Sequence, residues 1–437
     1  MSWFQPALDL LQSLRSAPPD TRLRGFFSAD RPVVIARAPG RLDVMGGIAD
    51  YSGARVLELP LACATFALVQ AQDEPVCTVA SLRGERWDFF ASDLPLAAPA
   101  HLAARFRERD ADRWASYVVG VVQALVPEAA SGVRILIHSS VPEGRGVASS
   151  AALEVAVAVA VAAISSHRID PADLAALCQR VENHVVGAPC GIMDQMTSVC
   201  GKQNRLLQLY CQPGTIEGYI AVPPGYRFYG IDSGVSHAVS GADYGIIRTA
   251  AFMGLRILTT ETPWRGGYLA DLAPAEFAQL ARALPEDMKG AEFLERYGGI
   301  SDTATVVDPD RRYPVRRASE HPVGEQARVD RFARLLTTIA HDPDAAHELG
   351  QLMYASHQSY SACGLGSDAT DRLVELVRAA GPHQGLFGAK ITGGGSGGTV
   401  AIFAKREAEC VVREIAGEAR VFAESGPGAA ETGVLEI

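Results

Sequence analysis

The chain has 437 residues, enough for two or three domains, and its 48% hydrophobic and 21% charged content is ordinary globular usage, which excludes disordered and fibrous readings. Forty Lys and Arg against fifty Asp and Glu leave a net charge of −10. Such an acidic balance offers no general footprint for a phosphodiester backbone, so nucleic acid is not an expected partner.

Residues 33–36 and 56–69 read as strands, separated by a glycine-dense polar loop over 39–53. Apolar residues recur at helical spacing over 114–125, and 133–137 read as a further strand. Ser149 and Ser150 then open an Ala/Val-rich stretch to residue 164, whose length and alanine content predict a helix packed on most sides. Asp170 as N-cap and Pro171 at the first helical position open another helix over 171–186. The pattern turns strand-like over 204–233, and a domain boundary is predicted at residue 212, giving units 1–212 and 213–437. The second half is mostly helical, over 242–258, 320–340, 344–360 and 368–380, and ends in strand, glycine turn, strand over 385–403. The charge- and proline-rich segment 261–321 predicts short helices with irregular connections.

The longest apolar run, 155–164, is about half of a bilayer span, so no membrane helix is expected. The first six residues lack the features of a secretory signal, and the expected compartment is cytoplasmic. Eight scattered cysteines, with no C-x-x-C pair, read as small buried residues rather than a disulfide or zinc framework.

Three glycine-rich segments carry the chemistry. Pro142-Glu143-Gly144-Arg145-Gly146-Val147-Ala148-Ser149-Ser150-Ala151-Ala152 joins a strand to a helix, so backbone N–H groups and the helix dipole can converge on anionic oxygens. It lacks the Gly-Lys-Ser/Thr ending of a Walker loop and the third glycine of a dinucleotide fingerprint. A plain strand-to-helix turn explains this segment, taken alone, equally well. The second, Lys390-Ile391-Thr392-Gly393-Gly394-Gly395-Ser396-Gly397-Gly398, has five glycines in six positions, more than a hairpin tip requires. The third, over 38–53, sets Arg41, Asp43 and Asp50 among glycines, charges that surface-loop solvation explains almost as well.

In this order the three resemble the signature of the GHMP small-molecule kinases. Cys190-Gly191-Ile192-Met193-Asp194-Gln195 and the segment 114–121 are similar to the galactokinase branch. Residues 46–53, 231–234, 362–368, 388–393 and Gly241-Ala242-Asp243-Tyr244-Gly245 resemble the kinase portion of plant L-arabinokinases. The likeness runs from about residue 33 to 404.

The resemblance implies a mixed α/β (α+β) fold of two domains, the second ferredoxin-like, with the active site in the cleft between them. It implies ATP and Mg²⁺ as cofactors and transfer of the γ-phosphoryl group to the anomeric hydroxyl of a small-molecule sugar. Oligomeric state stays open between monomer and homodimer. Gly144, Arg145, Gly146, Val147, Ala148, Ser149, Ser150 and Ala151 match the family's nucleotide loop. Trp114 and Tyr117 match its adenine side, or are core aromatics. Asp194 matches the catalytic aspartate and Arg41 the arginine paired with it, which would keep the carboxylate ionised and feebly basic. Ser150 and Glu182 match the Mg²⁺ ligands, with a cap and a solvated-face residue as the bland alternatives.

Asp50, Gly191 and Tyr244 fall on the sugar side, where Gly47 and Ile48 replace the Glu-His of galactokinases. An apolar Ile48 facing the edge that carries galactose's hydroxymethyl suits a pentose, so L-arabinose is expected first and galactose as the slower alternative. A third reading, a non-catalytic sugar and ATP sensor, is disfavoured by the complete Ser149-Ser150-Ala151-Ala152 start.

Overall fold

The structure is a computed structural model that describes residues 2–83, 86–93, 96–126, 131–236, 242–339 and 344–437; Gly241 of the sequence motif and Ala340 at a predicted helix end lie outside them. The first part of the chain runs α1 (Gln5–Ser16), β1 (Val34–Met45), β2 (Arg55–Gln72), β3 (Val76–Arg83), β4 (Arg86–Asp93), α2 (Pro99–Glu108), α3 (Ser116–Leu125), β5 (Gly132–Ser139), α4 (Ser149–Ile164), α5 (Pro171–Val181), α6 (Met193–Cys200), β6 (Arg205–Tyr210) and β7 (Thr215–Ala221). Among the described residues these strands form one sheet in the order β1-β2-β5-β3-β4, with β6 on the far end of β2 and β7 beyond it. A last short strand, Val434–Glu436, returns to pair with β1.

The first half of the predicted loop over 39–53 is strand. β1 continues through Pro39, Gly40, Arg41 and Asp43 to Met45, buried along its whole length, with register irregularities at Pro39/Arg41 and Asp43/Met45. Its glycine and charges reflect close packing rather than solvation: a Cβ on Gly40 would stand 2.7 Å from the Val147 carbonyl oxygen. Only Gly47–Ser52 forms a 3-10 turn.

α4 is a helix, as its alanine content predicts, buried against β1, β2 and helices α3, α5 and α6. Asp170 caps α5 through the Ala172 N–H at 2.9 Å. The helix predicted over 171–186 changes character at its end: Glu182–Val186 is a π-helical turn, a form that proteins use to re-aim side chains at functional sites.

The second part comprises β8 (Tyr226–Asp232), α7 (Ala242–Glu261), α8 (Pro274–Leu280), the strand pair β9 (Met288–Lys289) and β10 (Arg312–Tyr313) around α9 (Gly290–Tyr297), α10 (Val315–Thr338), α11 (Ala345–Ala362), α12 (Asp368–Ala380), β11 (Leu386–Ile391), β12 (Thr399–Lys405), α13 (Glu409–Ala416) and β13 (Val421–Phe422). The helix predicted from residue 320 starts at Val315 and holds Pro322 in its interior. The antiparallel order β11-β12-β8-β13 with the intervening helices is the ferredoxin-like split βαβ arrangement. β7, beyond residue 212, still pairs with β6, and the chain enters the second sheet at Tyr226. A shared apolar cluster, with Leu42, Leu57 and Ala152 from one side and Phe332, Leu349 and Phe403 from the other, joins the parts where the site lies.

Candidate active site

The three glycine segments meet. The Arg41 N–H donates to the Val147 carbonyl at 3.1 Å, and its guanidinium Nη1 to the Gly146 carbonyl at 2.7 Å. From the other side a Cβ on Gly393 would stand 2.9 Å from the Gly146 oxygen, and one on Gly398 3.0 Å from the Arg145 oxygen. Both glycines have positive φ, as do Gly144, Gly146 and Ala148 in the strand-to-helix turn. Thr399 Oγ1 donates to the Arg145 carbonyl at 2.8 Å, and the Asp43 N–H to Thr392 Oγ1 at 2.8 Å. The result is two main-chain loops face to face at the N-terminus of α4, a setting suited to anionic oxygens.

Arg41 organises the carboxylates beside them. Its Nε and Nη2 both reach Asp194 Oδ1, at 2.9 and 2.7 Å, and Nε stands 3.3 Å from Glu58 Oε2. Burial works against its charge, but Asp194, Glu58 and Asp43 outweigh burial and hold its pKa above the ordinary value. Asp194 stands in the first turn of α6, where the helix dipole favours an anion. One residue on, Gln195 Nε2 donates to Glu182 Oε2 at 2.6 Å and reaches Glu154 Oε2 at 3.5 Å. Burial is the main force pushing the Glu182 carboxyl up to about 7, opposed by a hydrogen bond from Ser150. Burial, then the neighbouring Glu182, drives Glu154 well above the carboxylate range.

The sugar-side candidates lie on the other flank of Asp194. Asp50 is buried in the 3-10 turn, and the carboxyl is pushed up to about 7 by burial, then by Asp194, against Arg248 and Arg41. A Cβ on Gly191 would fall 1.7 Å from Asp50 Oδ2, so only glycine fits there. Gly47 is equally constrained: it has φ +47°, and a Cβ would fall 1.6 Å from Tyr360 Oη. That hydroxyl accepts from the Ile48 N–H at 2.8 Å and donates to the Gly393 carbonyl at 3.1 Å. Glu325 of α10 fastens the turn's start, accepting from the Gly46 N–H at 3.1 Å.

Two segments of the chain match family models: residues 116–202 that of the GHMP kinases N terminal domain, and 343–419 that of the GHMP kinases C terminal. The galactokinase of Chloroflexus aggregans is 32% identical over 89% of this chain and 88% of its own. The chain belongs to the GHMP kinase family. An L-arabinokinase of Arabidopsis thaliana is 38% identical over 94% of the chain, which spans about half, 47%, of that protein's length. The crystal structure of Lactococcus lactis galactokinase complexed with galactose superposes with a TM-score of 0.76 over 97% of this chain and 98% of that one, at 19% identity, which speaks for the fold.

Arg41, Asp194, the Gly144 to Ala151 loop, Ser150 and Glu182 come together in one connected set of contacts. Tyr117 stands beside the Glu182 and Glu154 carboxyls, and its phenol is raised chiefly by burial. Trp114 packs partly buried against the first core. Ile48 exposes none of its surface: it shares an apolar cluster with Tyr51, Tyr244, Tyr360 and Leu365, so it underlies the sugar-side candidates rather than walls them. Glu154, Gln195, Glu58 and the Tyr360 clamp were not among the predicted residues. The Glu154 position, four after Ser150 on the same helix face, was the available signal.

Ser150 and Glu182 are hard oxygen donors beside the anion loop, and buried Glu154 Oε1 and Gln195 Oε1 lack partners, which fits a divalent cation. Among the described residues no group of three or more His, Cys, Asp or Glu is arranged to hold a metal. No helix among these residues is long and apolar enough to cross a membrane.

Proposed function

We propose that the chain phosphorylates the anomeric hydroxyl of L-arabinose with ATP, giving L-arabinose 1-phosphate. The observation that carries the choice of sugar is the Gly47–Ile48 turn. Tyr360 fills the place a side chain at 47 would take, and Ile48 is fully buried, so neither position offers a polar partner for an exocyclic hydroxymethyl. The Arabidopsis relative, an L-arabinokinase, supports the same choice.

In this reading the triphosphate lies on the facing loops of Gly144 to Ala151 and Gly393 to Gly398. Ser150 and Glu182 hold Mg²⁺, which when bound neutralises phosphate charge. Arg41 occupies Oδ1 of Asp194 and thereby leaves Oδ2 for the sugar's C1 hydroxyl. Because phosphoryl transfer passes through a loose transition state, fixing the hydroxyl in line contributes more than early proton removal. Asp50 and Tyr244 hold the ring, and Trp114 and Tyr117 the adenine side.

Galactose is the second reading, favoured by the Chloroflexus relative, which matches over most of both chains. An ADP-release assay over a sugar panel, with the product anomer assigned by NMR, separates them. L-Arabinose is expected to have the higher kcat/KM. Galactose preferred more than about tenfold overturns the argument from the turn.

A further inference from the structure

Three buried polar atoms near Asp50 have no hydrogen-bond partner: Oδ1 of Asp50 itself, Nη1 of Arg248 and Oη of Tyr51. They belong to one cluster. The Arg248 guanidinium carbon lies 5.6 Å from the centre of the Tyr51 ring, which meets the Tyr244 ring edge-on at 5.7 Å. Arg248 stands one turn along α7 from Tyr244, on the same face. Arg248 and Asp50 each act on the other's charge.

The rest of the guanidinium is fixed. Nε and Nη2 donate to Asp302 Oδ2 and Oδ1, both at 2.8 Å, with side chains only 8% and 4% exposed. Asp302 is anchored in turn by Thr305 Oγ1 at 2.6 Å and the Ala304 N–H at 3.2 Å. A bidentate pair of this kind sets the plane of the fork and dictates where the remaining N–H points. Buried polar groups are almost always satisfied, so an orphan donor, an orphan acceptor and an orphan hydroxyl in one cluster call for a ligand that both donates and accepts. A ring hydroxyl does both.

We propose that Arg248 is a further sugar-binding residue, donating from Nη1 to a ring hydroxyl that itself donates to Asp50, and that Asp302 is the positioning residue that locks it. This rests on the sugar-kinase reading. The test uses the full chain with Arg248→Met, Arg248→Lys and Asp302→Asn, assayed on the preferred sugar and on its 2-, 3- and 4-deoxy analogues. Sugar Kd is measured by calorimetry, alongside the KM for ATP.

Arg248→Met is expected to raise the sugar KM and Kd about tenfold or more, with the ATP KM unchanged. For the one deoxy analogue that lacks the contacted hydroxyl, wild type and variant should then agree. Asp302→Asn should raise the sugar KM about three- to tenfold, since the fork is loosened but not removed. If Arg248→Met does not fold, Arg248→Lys is read by the same deoxy series. An equal shift on every deoxy analogue, or a change in kcat or thermal stability with sugar KM untouched, overturns the proposal and leaves a bridging water as the partner. A wild type that phosphorylates no sugar overturns the underlying reading instead.

Discussion

On the proposed phosphate side the walls are main chain, with Gly393 and Gly398 set so close to the Gly146 and Arg145 carbonyls that a Cβ would stand 2.9 and 3.0 Å from their oxygens. On the proposed sugar side the walls are buried side chains, Asp50, Tyr51, Tyr244 and Arg248, supplied by a turn and by a helix some two hundred residues later. A cradle of backbone tolerates change almost nowhere but demands glycine, and glycine at fixed places is visible in a sequence. A pocket of side chains is specified by which elements the topology juxtaposes. The first side can thus be shared by a whole family while the second changes its sugar, and substitutions should separate the two.

The largest effect is expected at the point where the sides meet. Asp194→Ala removes the carboxylate that Arg41 holds, and should cut turnover by about 10²–10⁴-fold while calorimetric sugar binding persists. Turnover above a hundredth of wild type would strip Asp194 of its assigned role.

Next comes the strut under both sides. Lys390 Nζ of β11 meets Asp43 Oδ2 of β1 at 2.6 Å, both side chains fully buried, so one ion pair ties the second sheet to the first. Lys390→Met leaves the buried Asp43 carboxylate with only the Gly47 N–H and the neighbouring Arg41 charge, and should cost about 3 kcal/mol in urea unfolding. The double variant Lys390→Met/Asp43→Asn should recover part of that loss, because the orphaned charge is gone. A single-variant loss below about 1 kcal/mol would mean that water reaches Asp43.

Gly393→Ala sharpens the comparison directly. Its φ of +71° and the 2.9 Å approach to the Gly146 carbonyl oxygen give a Cβ no room. A cost of about 1–3 kcal/mol in stability is expected, with a raised KM for ATP. The sugar KM should stay within about twofold. A change in sugar KM alone would show that the loops serve the sugar instead.

The same division explains what could be read in advance. Glycine spacing and the Ser-Ser helix start pointed to the loops, and the fold's second sheet followed from the family likeness. The second half of β1, over 39–45, reads as loop because its polar and glycine residues are indistinguishable by composition from a solvated turn; pairing with β2, at Arg41 with Pro60 and Asp43 with Glu58, makes them strand residues, and their charges are buried among partners. Arg248, Asp302 and the Lys390 strut were invisible for another reason. Each is a single charged residue on an otherwise ordinary element, and what distinguishes it is a partner far away in sequence. The hairpin of β3 and β4, with α1 and α2, is not legible in advance because those segments carry no motif.

The smallest expected effect is electrostatic and isolates the sugar side. The Asp50 carboxyl, raised to about 7 chiefly by burial, would ionise near 3.9 in the unfolded chain. Between those two values the native state keeps a proton that the unfolded state has lost, so this group makes stability fall as pH rises from about 4 to about 7, and the cost is complete above that. Glu182, also pushed up to about 7 by burial, titrates in the same window, so the wild-type curve alone cannot assign the effect. Asp50→Asn can, because it deletes one of the raised carboxyls and leaves the others. Its urea midpoint relative to wild type should climb from about pH 4 to about pH 7 and then level off. The two-loop phosphate cradle, which has no part in this difference, should leave ATP affinity with the same pH dependence in both proteins. Parallel stability curves would mean that Asp50 is solvated in the native chain, and the contrast between a backbone wall and a desolvated side-chain wall would then lose its sugar half.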